Sequence, residues 1–206
     1  MSIEHEAKFR LDDRQKTQAR LESLGRLSTP WHFESNTVYD RGDELAASGR
    51  LLRLRRALTS TLTFKEPQAG PKTSGVKSRV ERESRVEDPS AMDAILRGLG
   101  YAPRLRYEKF RAVWELPRGL VFLDILPFGH FLEIEAPPED IALIAMDLGL
   151  DPATAMDASY HDLHRSWRRQ SGLDASGDFV FDEAARQQLT TLLGCDARFQ
   201  GVAHAD

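Results

Sequence analysis

Charged residues in this chain recur in pairs two positions apart, which is the spacing that puts side chains on one face of a strand. Glu4-His5-Glu6-Ala7-Lys8 opens the series, followed by Arg53/Arg55, Lys65, Lys77/Arg79, Lys109/Arg111, Asp124 and Glu133/Glu135. Two Arg at i and i+2 present two forked donors to one side, suited to bidentate phosphate oxygens. Two Glu at the same spacing converge hard oxygen ligands of the kind Mg²⁺ or Mn²⁺ takes. Together these describe a receptor for a metal-bound chain of phosphates.

The elements that must position these residues read as strands of period two. They fall at Ile3–Phe9, 36–40, Leu51–Ala57, a stretch around Leu62 and Phe64, Val76–Glu87, a stretch from Lys109 to Trp114, one around Asp124 and a last one through Glu133 and Glu135. One strand with a charged face would be an ordinary surface strand. Eight of them pose a different problem, solved when the sheet closes with its apolar faces outward under helices and its charged faces around a lumen. The expected fold class is α+β: a closed, mainly antiparallel eight-stranded barrel with helices packed outside.

Helical patterns fall at 12–24, 90–99, 138–148, 153–171 and about 182–193. The capping candidates Asp12 and Asp13, and the stops Gly25, Gly100 and Gly172, mark their ends. The expected organisation is one tunnel-bearing domain over 1–172 and a helical appendage over 173–206 with a frayed end.

Bulk properties bound the function. The chain has 206 residues, 29% of them charged, and a net charge of −4, which excludes a protein built to coat nucleic acid. Its one cysteine, Cys195, allows no internal disulfide and fits a reducing compartment. The charged N-terminus carries no signal-peptide core, and no apolar run spans a membrane, so a cytoplasmic protein is expected.

The ordered series also resembles the CYTH family, the triphosphate tunnel metalloenzymes, which includes thiamine and inorganic triphosphatases and class IV adenylate cyclases. Glu4-x-Glu6-x-Lys8 looks like its signature. Asn36-x-x-Tyr39-Asp40, Leu52-Arg53-Leu54-Arg55, Lys65, Lys77-x-Arg79-x-Glu81-x-Glu83, Glu108-Lys109-x-Arg111, Asp124, Glu133-x-Glu135 and Ser159-Tyr160-x-x-Leu163 follow in the family's order over roughly 1–165. The resemblance implies that Glu4, Glu6, Asp124, Glu133 and Glu135 hold Mg²⁺ or Mn²⁺. It likewise implies that Lys8, Arg53, Arg55, Lys65, Lys77, Arg79, Lys109 and Arg111 bind phosphates. Catalysis would then fall to the metal-site carboxylates Glu4, Glu6, Glu133 and Glu135 with Lys8. The expected activity is metal-dependent hydrolysis of inorganic tripolyphosphate or an organic triphosphate such as thiamine triphosphate or a nucleotide. The alternatives are cyclisation of ATP to cyclic AMP and pyrophosphate, or a non-catalytic polyphosphate- or nucleotide-binding module. The partner is a small-molecule triphosphate, with no nucleic acid and no membrane, for a monomer or homodimer.

Other tempting residues are set aside. Parity turns His5 away from Glu4 and Glu6, and His161/His164 lack the carboxylate of an HExxH site. Tyr160 reads as packing with a possible hydroxyl bond, and Arg165, Arg168 and Arg169 as a solvated helix face. Glu81 and Glu83 read as partners for nearby cations.

Overall fold

The alternating segments do become strands, and their two faces part as period two demands. In the computed structural model, which describes residues 2–69, 73–174 and 177–196, β1 (Ser2–Leu11) buries Ala7 and Phe9 beneath helices and turns Glu4, Glu6 and Lys8 to the other side. The remaining strands are β2 (Arg26–Asp40), β3 (Leu51–Arg56), β4 (Thr61–Pro67), β5 (Lys77–Arg85), β6 (Ala102–Leu116), β7 (Gly119–Leu126) and β8 (Gly129–Glu135). They form a ring in the order β1-β5-β4-β3-β2-β6-β7-β8, antiparallel throughout. The first and last strands close it, with Glu6 opposite Glu135 and Lys8 opposite Glu133. Closure removes the open edges that an eight-stranded sheet would otherwise expose.

Helices α1 (Arg14–Leu24), α2 (Glu44–Ala47), α3 (Pro89–Gly98), α4 (Pro138–Asp147), α5 (Tyr160–Gln170) and α6 (Glu183–Leu193) stand outside the ring. Asp13 caps α1 by accepting from the Lys16 N–H, and Asp88 caps α3 ahead of Pro89. The main core lies between strands and helices, where Phe9, Trp114, Leu123, Leu132 and Ile134 meet Leu21 and Ile144. No helix among the described residues is long and apolar enough to cross a membrane.

β6 begins at Ala102, well before the expected Lys109, and three further elements differ from the sequence expectation. β2 is 15 residues long instead of the five at 36–40. Its register against β6 shifts on both sides of Thr29 and Pro30, and this irregularity breaks the alternation that would have revealed the strand. Second, α5 starts at Tyr160, not near 153. The preceding chain forms a short 3-10 turn at Pro152–Thr154 and then pairs Met156 with Lys8 through two backbone bonds of 3.0 and 2.9 Å. Ser159 and Asp162 form a reciprocal capping box that sets the helix start there. Third, the single-turn α2 had no anticipated counterpart.

Beyond Gly172 the chain returns to the barrel. Phe179 makes a parallel bridge to Tyr107, and its backbone bonds the Glu108 N–H and the Arg106 carbonyl. Phe181, Leu189 and Leu193 then cover Phe33, Phe110 and Ile125 on β2, β6 and β7. The frayed end expected over 200–206 lies outside the described residues.

Leu132 is fully buried in the shell between barrel and helices. Leu132→Ala should lower the unfolding free energy by about 2–5 kcal/mol in urea titrations with an unchanged slope. A loss below about 1 kcal/mol would mean this shell can collapse around the cavity.

Candidate functional site

The lumen positions that parity selected, apart from Asp124, Glu81 and Glu83, line one chamber of about 340 Å³ inside the ring. β1 and β8 supply Glu4, Glu6, Lys8, Glu133 and Glu135; β3 to β6 supply Arg53, Arg55, Lys65, Lys77, Arg79, Lys109 and Arg111. Ser159, Tyr160 and His161, at the start of α5, complete the wall. Cations and carboxylates interleave. Lys8 lies 2.6 Å from Glu6 and 3.1 Å from Glu133, and Lys65 pairs with Glu4 and, at 3.0 Å, with Glu81. Glu81 thus pairs as expected, whereas Glu83 accepts from the Thr63 hydroxyl at 2.8 Å.

Asp124 departs from the expected metal set. It is fully buried and lines none of the chamber. Arg111 grips both its oxygens at 2.7 and 2.6 Å, Lys109 lies at 3.3 Å, and the Tyr160 hydroxyl donates to it at 2.7 Å. This carboxylate anchors Arg111 and Lys109, and its acceptor capacity is spent. Tyr160 is accordingly a structural strut, with the Lys8 and Lys109 ammonium groups 5.2 and 5.5 Å from its ring centre.

The electrostatics separate the carboxylates into two kinds. Burial raises the Glu133 carboxyl, but Lys8 and Arg111 outweigh it and hold the group well below its usual range. Glu135 makes no ion pair among the described residues: burial, then the charges of Glu4 and Glu133, push it up to about 7 against the weaker pull of Lys65. Burial raises Glu4 too, against the pull of Lys65. Crowded, desolvated carboxylates of this kind repel one another until a cation answers them. Among the described residues no three His, Cys, Asp or Glu side chains already converge as a metal cage; Lys8 and Lys65 occupy that role. The donor set still fits a hard divalent ion, because Glu135 makes no ion pair among the described residues and Glu4 is answered only by Lys65. Burial, followed by the neighbouring cations Lys77 and Arg53, brings His161 down to about 3, so its imidazole is neutral. His5 bonds Ser78 at 2.7 Å and lies off the chamber wall. Arg165, Arg168 and Arg169 are exposed or nearly so and contribute nothing to that wall.

Sequence reasoning missed Glu34, Asn36, Thr63 and Tyr107. Glu34 is almost completely buried, 3.7 Å from Arg55, 3.6 Å from Lys109 and 3.4 Å from His32. Its position was legible in the alternation of Trp31 and Phe33 with His32, Glu34 and Asn36. Tyr107 shares parity with Lys109 and Arg111, and its hydroxyl accepts from Arg53 at 3.1 Å.

Comparison with known proteins agrees with this architecture. The model of the CYTH domain family matches residues 2–151. A protein of Methanocaldococcus jannaschii named "Putative adenylate cyclase" is 28% identical over 142 residues, 68% of this chain and 79% of the relative. A Vibrio parahaemolyticus structure, also described as a "putative adenylate cyclase", superposes with a TM-score of 0.65 at 21% identity over 77% of this chain and 95% of its own. A Hippeastrum structure, described as a "putative adenylyl cyclase" with a dominant triphosphatase activity, gives 0.58 at 20% identity over 82% and 96%.

The raised Glu135 carboxyl makes metal-free stability depend on pH. A folded-state pKa of about 7 against an ordinary 4.5 means that the native protein binds the extra proton. The stability contributed by that proton is full below about pH 4.5 and is lost as pH rises through 7. Glu135→Gln should therefore melt close to the wild type near pH 5 and above it near pH 8. Melting curves with no gap at either pH would place Glu135 in water rather than among carboxylates.

Proposed function

We propose that this chain, which belongs to the CYTH domain family, hydrolyses a triphosphate inside the barrel with the help of a divalent metal ion. The observation that carries the reading is the chamber itself: a closed wall on which arginines and lysines face two under-compensated carboxylates, Glu4 and Glu135. A linear polyanion carrying a metal is the ligand whose charges answer both halves. The membership supports it, because this family includes triphosphatases and adenylate cyclases.

Arg53, Arg55, Lys109 and Arg111 would bind the phosphate oxygens, and Lys77 and Arg79 would hold a further phosphoryl group. Asp124 keeps Arg111 in place through its two-point grip, which limits the reorganisation needed as charge shifts during phosphoryl transfer. Lys8, fixed between Glu6 and Glu133, would neutralise phosphate charge beside the carboxylates. Glu4, Glu6, Glu133 and Glu135 would hold Mg²⁺ or Mn²⁺. Such an ion, when bound, polarises phosphoryl oxygens and lowers the pKa of water. No serine or cysteine nucleophile is needed: water attacks, and tripolyphosphate leaves as orthophosphate and pyrophosphate. The barrel wall contributes alignment and exclusion of bulk water.

A second reading, cyclisation of ATP by its own ribose hydroxyl, is favoured by the names of the archaeal and Vibrio relatives. It uses the same cations and carboxylates.

With Mg²⁺ or Mn²⁺, the purified protein should release orthophosphate from tripolyphosphate and no cyclic AMP from ATP. Cyclic AMP with pyrophosphate would replace hydrolysis by the second reading. Tight tripolyphosphate binding without turnover of either substrate would instead make this a binding module. Glu4→Gln should cut metal-dependent turnover on the order of a hundredfold or more while the protein stays folded; full activity would remove Glu4 from the metal site.

A further inference from the structure

Most cations of the chamber wall are already answered by carboxylates. Lys8 has Glu6 and Glu133, Lys65 has Glu4 and Glu81, Arg111 has Asp124 and Glu133, and Lys109 and Arg55 share Glu34. Arg53 is different. It is buried, lines the chamber and makes no ion pair among the described residues. Its partners are two neutral hydroxyls: one arm donates to Tyr107 at 3.1 Å and the other to Thr63 at 3.3 Å. Its Nε–H has no acceptor among the described residues. A buried guanidinium with no ion-paired carboxylate is costly, so the rigidity of the groups that hold it matters.

The Tyr107 hydroxyl is held firmly. Its ring is buried, stacked on Phe179 at 5.1 Å with an interplanar angle of 25°, and met edge-on by His161 at 5.2 Å. The Phe179 contact is itself tied to β6 by the backbone bonds around Arg106 and Glu108, and His161 is neutral, so it offers Arg53 no competing charge. The hydroxyl accepts from Arg53, and its own proton is bonded to no acceptor among the described residues. Tyr107 and Arg53 thus keep two donors, O–H and Nε–H, that meet no acceptor among the described residues.

We propose that Tyr107 is the positioning residue for Arg53: clamped by Phe179 from the segment beyond residue 172, its hydroxyl holds the guanidinium clear of the lumen carboxylates, so that an intact positive charge awaits a phosphate oxygen. The proposal rests on the triphosphate-binding reading above. It also gives the C-terminal segment, which lies outside the span matched by the family model, a part in substrate binding. Without the hydroxyl, the long Arg53 side chain is free to turn toward Glu34 or Glu81, the carboxylates whose fields it already feels. Neutralised there, it would meet the polyanion less well.

Tyr107→Phe removes the oxygen and keeps the ring stack, so it separates positioning from packing. In calorimetric titrations without metal, the Kd for tripolyphosphate should rise about tenfold, the effect of one lost hydrogen bond to a charged group. In turnover assays KM should rise similarly while kcat stays within about twofold, and the melting temperature should hold within a few degrees. A purely structural role would move the melting temperature and leave Kd and KM alone. Kd and KM unchanged within twofold would overturn the role of Tyr107 and leave the triphosphate reading standing. A wild-type protein that neither binds nor turns over tripolyphosphate would overturn both.

Discussion

The constraint on which this structure turns is that a closed barrel of this size must bury the charges on its inner face. An ion of either sign inside a protein is costly unless it is paired and hydrogen-bonded. The chain meets this cost by interleaving signs. Lys8 stands between Glu6 and Glu133, Lys65 between Glu4 and Glu81, and Arg111 between Asp124 and Glu133. The compensation is incomplete at Glu135, at Glu4, whose pKa stays raised despite Lys65, and at the cations Arg53, Lys77 and Arg79. Those are the places where a ligand of mixed charge would gain most.

The outer shell makes that inner arrangement possible. Phe9, Trp114, Leu132 and Ile134 alternate with lumen residues along the same strands and pack against α1 and α4. Burial of this apolar surface supplies the favourable term that a polar lumen lacks. Each strand is therefore both wall and site, and a one-residue slip would exchange the two faces. Gly119 shows how tightly the closure is made: a Cβ there would lie 2.5 Å from the carbonyl oxygen of Glu135, so a larger residue would push the end of β8 away from the carboxylate cluster.

The later chain closes what the strands leave open. The Lys8 backbone, past the end of its pairing with β5, bonds Met156. β6 at Arg106–Glu108 lies beyond its pairing with β7 and bonds Phe179. Between these two patches α5 brings Tyr160 onto Asp124 and His161 against Tyr107. The aromatic cluster of Tyr107, Phe128, Phe131, Tyr160 and Phe179 ties the patches together.

The sequence by itself determined which residues share the lumen, because strand parity is a local property: Glu4, Glu6 and Lys8 on one side and His5 on the other follow from the alternation alone. It also indicated closure, since eight strands with charged faces have few other ways to satisfy them. The partners of each charge were decided only by the tertiary structure, because strand order and register are set by contacts far apart in the chain. Parity placed Asp124 in the lumen, and the family resemblance implied a metal role for it; the pairing of β6 with β7 sets it against Arg111. The cations around Glu34 come from other strands, Arg55 on β3 and Lys109 on β6, and nothing local predicts that Phe179 would return to clamp Tyr107. Alternation needs only neighbouring residues, whereas neutralisation needs the closed ring.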